Sequence, residues 1–238
     1  MSDRRDPTIL LPVDVSTEES LNRELINLLQ PARVIVLGYY PVPDQAAPEQ
    51  MRDQYEDEAT AYLESLVAIF VEDSPAAEGV LVFTRDRDAS IERISAEYSC
   101  DAVLTPGADA AIERVLIPLR GDPNLDKIIS FVGNLLLESD TSVTLFHGTV
   151  EDEDPTQSEF ILRGAADRLA EDGFDRERIE WHQTETEAPV QEIITLAKSH
   201  DLVVIGESDP SLSELILGDV PSRILDKTGR PVLIVRAE

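Results

Sequence analysis

Ile9-Leu10-Leu11-Pro12-Val13 is echoed by Val115-Leu116-Ile117-Pro118-Leu119. The stretches flanking the two copies repeat in the same order, and this decides the fold. After the first copy the pattern predicts a helix over 20–29, with Leu21, Leu25, Leu28 and Leu29 at helical spacing, and a strand over 32–40. A longer helix over 48–71 follows, with Tyr55, Ala59, Tyr62, Leu63, Leu66 and Ile69 on its apolar side, then a strand at 80–83, a helix at 91–98 and a strand at 102–104. After the second copy come a helix at 125–137, a strand at 143–146, a helix capped by Asp154 and opened by Pro155, a strand at 179–182, a helix at 190–198 and a strand at 202–205. Short β-branched runs alternating with amphipathic stretches are the pattern of parallel strands joined by crossover helices. A repeat of roughly a hundred residues is too long for a solenoid unit and means duplicated domains.

The copies are unequal. The second continues through 211–217 and 220–225 to the strand Val232-Leu233-Ile234-Val235, whereas the six residues between Gly107 and Arg114 cannot hold a further helix and strand. The expectation is an N-terminal domain over 1–110, truncated, and a C-terminal domain over 111–238. Val232–Val235 is an apolar strand at the chain's end, and an edge of that kind invites pairing, which predicts a homodimer through it.

The 238 residues carry 48 acidic and 20 basic side chains, a net charge of −28, and only three lysines, Lys127, Lys198 and Lys227. Nucleic-acid binding needs cations that displace phosphate counterions, so DNA and RNA are excluded as expected partners. A carboxylate-rich, lysine-poor surface suits a salt-saturated cytoplasm, where screening suppresses self-repulsion. Cys100 is the single cysteine and reads as a small core residue. No apolar run approaches a membrane span and no signal-like segment follows Met1, so the expectation is a cytoplasmic protein without membrane insertion.

Gly206-Glu207-Ser208-Asp209, Leu215-Ile216-Leu217-Gly218 and Arg230-Pro231-Val232-Leu233-Ile234-Val235-Arg236 together resemble the C-terminal signature of the universal stress protein family. The opening strand with Pro12-Val13-Asp14-Val15-Ser16 and the later Leu145-Phe146-His147 add to the resemblance. It implies two tandem α/β domains of the adenine nucleotide alpha hydrolase-like type, open parallel sheets flanked by helices, the N-terminal copy truncated. The resemblance implies a nucleotide site in one branch of that family. There an Asp after the first strand faces the adenine, and a glycine loop before a helix N-terminus holds the phosphates. Such domains also occur beside membrane transporters, which implies a transporter or signalling protein as a partner class.

Carried onto this chain, the site residues are Pro118, Leu119, Arg120, Gly206, Glu207, Ser208, Asp209, Gly218, Asp219 and Val220, with Asp14 as the first-domain remnant. The chain departs from the family pattern at both ends of the ligand. Asp209 stands near the position of the middle glycine, Asp219 replaces a hydroxyl residue, and Gly206 and Gly218 are twelve residues apart where the family has thirteen. A carboxylate close to a phosphate charge costs about 1–4 kcal/mol, so the loop is expected to hold ATP badly unless a cation such as Mg²⁺ intervenes. Asp14 lies in the domain without the loop. Arg120 occupies its place in the other, where it cannot accept a hydrogen bond; it pairs with Asp122, Asp209 or Asp219, or holds an anion.

His147, His182 and His200 have no neighbours at metal-ligand spacing and read as structural. Trp181 in a strand reads as core. Glu151-Asp152-Glu153-Asp154 lacks the ligand alternation of a calcium loop and reads as a solvated turn beside a helix dipole. No Walker A loop, dinucleotide glycine fingerprint, HExxH, CxxC or GxSxG is present. The function expected is non-catalytic binding or regulation in stress adaptation, with an ATP-dependent switch as the alternative.

Overall fold

The computed structural model describes residues 6–17, 21–73, 77–107, 111–119, 125–150, 154–207 and 220–236. The chain divides into two compact units, Met1–Pro106 and Gly107–Glu238.

In the first unit the strands are β1 (Thr8–Asp14), β2 (Arg33–Pro41), β3 (Ala77–Thr84) and β4 (Ala102–Thr105), and the helices α1 (Arg23–Leu29), α2 (Pro48–Asp73) and α3 (Arg87–Glu97). The strands run in the order β3-β2-β1-β4, and β1 pairs in parallel with β2 and β4, and β2 with β3, for example Leu10 against Ile35 and Leu37 against Val80. Parallel strands need crossovers, and right-handed crossovers put α2 and α3 on opposite faces because the chain reverses direction across the sheet after β3. The alternation of side chains agrees: Leu37 and Val82 pack with Ile94 of α3, whereas a Cβ on Gly38 would meet Leu63 of α2. On α2 the buried stripe is Ala59, Leu63, Leu66 and Phe70. Ile69, expected on that side, is 41% exposed, because Phe70 completes the i, i+4, i+7, i+11 spacing.

The second unit contains β5 (Arg114–Pro118), β6 (Ser142–Thr149), β7 (Ile179–Glu185), β8 (Leu202–Gly206) and β9 (Val232–Val235). Its helices are α4 (Leu125–Leu136), α5 (Pro155–Glu171), α6 (Pro189–Ala197) and α7 (Val220–Thr228). The strand order is β9-β8-β5-β6-β7, with each of these neighbouring pairs parallel. Phe146, Ile194, Ala197, Val203, Val220, Ile224 and Val232 form the core beneath α6 and α7. On the other face Ile128 of α4 lies against Gly206. Asp154 caps α5 as expected, accepting a hydrogen bond from the Thr156 amide at 2.9 Å, with Pro155 at the first turn.

Cys100 is buried in the first unit's core. Trp181 departs from expectation. It stands on β7, the edge strand of its sheet, and is 42% exposed, since an edge strand has a neighbour on one side only.

Candidate functional site

In an open parallel sheet, ligands sit beyond the carboxyl ends of the strands where the chain reverses direction. In the second unit that point lies between β5 and β8, which are paired neighbours through Val115–Leu202 and Leu116–Val203. Pro118-Leu119 and Gly206-Glu207 therefore leave the sheet side by side. Arg120, Ser208, Asp209, Gly218 and Asp219 lie outside the described residues.

The described members of the set are largely engaged by their own fold. Pro118 has no amide hydrogen to offer, and the Leu119 amide donates to the Phe146 carbonyl at 2.7 Å. The Glu207 amide donates to the Val235 carbonyl at 2.7 Å, extending the β8–β9 ladder by one residue. The Glu207 carboxylate lies 3.7 Å from Arg236, with both side chains less than a third exposed. A Cβ at Gly206 would stand 2.4 Å from Ile128 Cδ1, so the missing side chain is space that α4 occupies. Val220 begins α7 and is buried among Leu116, Phe146 and Ile224. Arg236 as partner of Glu207 was not anticipated from the sequence; the opposite charges at the ends of adjacent strands were the available signal.

At the corresponding edge of the first unit, Asp14 ends β1. Its Oδ1 accepts from the Ser16 amide at 2.9 Å and from Ser16 Oγ at 2.6 Å, a local turn that occupies one carboxylate oxygen. The end of β2 adds a group that sequence reasoning missed. Tyr40 is stacked between Tyr55 and Phe83, each at 5.1 Å between centroids. Arg52 lies over Phe83 at 5.6 Å and Arg87 over Tyr39 at 5.5 Å. Burial, then the neighbouring Tyr55, Glu58 and Asp14, push the Tyr40 phenol above its ordinary value. The Tyr39-Tyr40 pair ending an apolar strand was the signal for this cluster.

The histidines take structural positions. His200 donates from Nδ1 to the Leu196 carbonyl at 2.7 Å, leaving Nε2 to accept from Thr144 Oγ1 at 3.0 Å. His182 stacks on Phe146 and bonds Thr184 Oγ1 at 2.9 Å, and His147 is buried on β6. Among the described residues no cluster of three His, Cys, Asp or Glu side chains could hold a metal ion. No described helix is long and apolar enough to cross a membrane.

A model of the universal stress protein family matches residues 111–236. The solved structure of a universal stress protein from Archaeoglobus fulgidus DSM 4304 is 15% identical, covers 96% of this chain and 96% of its own, and superposes with a TM-score of 0.67. A functionally unknown protein from Pseudomonas aeruginosa PAO1 is 13% identical over 97% of this chain and 92% of its own, at 0.54. A universal stress protein from Archaeoglobus fulgidus in complex with dAMP is 17% identical over 52% of this chain and 97% of its own, at 0.41. No curated protein matches the chain. With more than half of its length matched by the family model, and with each unit an open parallel sheet flanked by helices, the chain belongs to the universal stress protein family.

Proposed function

We propose that this protein is a binding or regulatory member of its family that acts without catalysis, its nucleotide site impaired in the C-terminal unit, in stress adaptation within a salt-rich cytoplasm. The observation that carries this reading is at Gly206. In a phosphate loop a glycine lets backbone donors approach an anion. Here the space above Gly206 is taken by Ile128, and the next amide, that of Glu207, is spent on β9. The sequence adds Asp209 and Asp219, charges unsuited to phosphate, and the Asp suited to adenine, Asp14, belongs to the other unit.

Calorimetric titration with ATP and Mg²⁺ in multimolar KCl tests it. The expected result is no saturable binding at micromolar nucleotide. Micromolar affinity that disappears with EDTA would overturn the proposal in favour of an ATP switch in which Mg²⁺ bridges the two aspartates. The partner side of the reading is a transporter or signalling protein, sought by co-purification from native membranes. Its assembly side is the homodimer expected through Val232–Val235, which a monomeric mass by light scattering in high salt would refute.

A further inference from the structure

Helix α5 turns to solvent a face that its own unit does not use. Phe160 is 78% exposed, the most exposed large apolar side chain among the described residues. Gly164 lies one turn further along the same face, and nothing stands within 4 Å of where its Cβ would be. That is unlike Gly38, Gly79 and Gly206, each of which has a side chain pressed against it. A glycine inside a helix weakens it, and the unit gains no close packing from this one. Nearby, Trp181, the chain's single tryptophan, stands half-exposed on β7 with the Arg163 guanidinium 5.9 Å from its ring centroid. Exposed aromatic side chains beside arginine are the composition of interface centres.

A projecting ring one turn from an empty notch makes the face complementary to itself. We propose that α5 packs antiparallel on the α5 of a second copy across a two-fold axis, Phe160 of each copy seated over Gly164 of the other. In such an isologous contact each position meets its mirror about the axis. An axis midway between 160 and 164 sets Gln157 opposite Asp167 and Thr156 opposite Arg168, and brings the two Arg163 side chains near the axis, each neutralised by its own Glu159. The charges already on the face are internally balanced: Arg163 pairs with Glu159 at 2.6 Å and Asp167 with Arg176 at 2.7 Å. For a chain of net charge −28 this matters. Two copies repel over most of their surface, and a locally neutral apolar face is where they can meet. A second copy satisfies both the shape and the charge of this face.

The test is sedimentation equilibrium of the full chain in KCl above about 1 M, where the screening length falls to about 3 Å. A concentration-dependent dimer is expected, with its Kd raised about thirtyfold by Phe160→Ser, as for the central residue of an interface. Gly164→Gln separates interface from helix. It places a good helix former in open space, so the thermal midpoint of the diluted protein rises while the dimer Kd rises at least about tenfold. A purely local role for Gly164 would change stability and leave the mass alone. The proposal is overturned by a wild-type chain that stays monomeric at all concentrations, or by a dimer whose Kd neither variant changes. The second result is the one that association along β9 would give, so the two assemblies are told apart.

Discussion

A Cβ placed on Gly206 stands 2.4 Å from Ile128 Cδ1 and 3.3 Å from its Cγ1. Gly206→Ala is therefore an overpacking change, expected to cost about 1–3 kcal/mol. Ile128→Val removes the offending Cδ1, so the double variant should recover much of that loss in urea unfolding. Equal stabilities for wild type and Gly206→Ala would sink the packing account and return the glycine to ligand binding. Two tyrosines give a pH dependence. Tyr98 donates to Glu78 Oε1 at 3.0 Å, and that bond, followed by burial, raises its phenol as burial chiefly raises Tyr40. A raised phenol means the fold prefers the protonated form. Its contribution is intact below the unfolded value of 10.0 and is lost as pH climbs through the folded value. Stability measured on either side of 10.0 should fall more steeply in wild type than in Tyr40→Phe, and equal slopes would rule out that role for Tyr40. At this scale the sequence was informative where chemistry is local. The strand expected over 202–205 ends at Gly206 and the echo at Val115–Leu119 is β5 with the residue after it, because strand ends follow from apolar runs. The packing of Ile128 on Gly206 and the Tyr40 stack were not legible, since each joins residues far apart in sequence.

Caps and apolar periodicity differ in how clearly they mark an element's start. Asp154-Pro155 announced α5, and the helix begins there. By contrast α3 begins at Arg87, four residues before the apolar Ile91 from which periodicity placed it. Its first turn, Arg87-Asp88-Ala89-Ser90, carries no apolar signal, and only Asp86 reveals it, accepting from the Ala89 amide at 2.9 Å. The two caps are exposed and chemically alike. Asp154→Ala and Asp86→Ala should each cost about 1 kcal/mol, while the Asn variants, which keep the accepting oxygen, should lose far less. Chemical denaturation of the four variants measures this, and equal losses for Ala and Asn would mean that charge, through the helix dipole, outweighs the cap bond. Strands were underestimated for a related reason. β3 starts at Ala77-Glu78-Gly79, residues with little strand preference that are held by pairing with Val34, Ile35 and Val36 of β2.

Across the whole chain, composition and strand patterning reach different depths. The strands of the two units were legible because buried parallel strands must be apolar, whatever their loops do. The proposed loss of ligand chemistry rests, in the sequence, on altered charge in the glycine-loop stretch alone, since loop residues are free to change without touching either core. The charge itself leads to a prediction with a definite sign. If all 20 basic side chains found carboxylate partners, 28 of the 48 acidic ones would remain uncompensated, by 48 − 20 = 28. The ion pairs seen among the described residues, such as Arg93–Glu97 and Arg176–Asp167, are mostly exposed, and each is worth only about 0–1 kcal/mol. Salt weakens those few pairs and screens the far more numerous repulsions, so the net effect of salt is stabilising. Raising KCl from about 0.1 M to 1 M shortens the screening length from about 10 Å to about 3 Å. The thermal unfolding midpoint should climb steadily over that range, most steeply at its lower end. Replacing exposed glutamates of α2, for example Glu56→Gln with Glu58→Gln, should raise the low-salt midpoint and flatten the climb. A midpoint that falls with KCl would show that attraction between specific pairs outweighs the general repulsion.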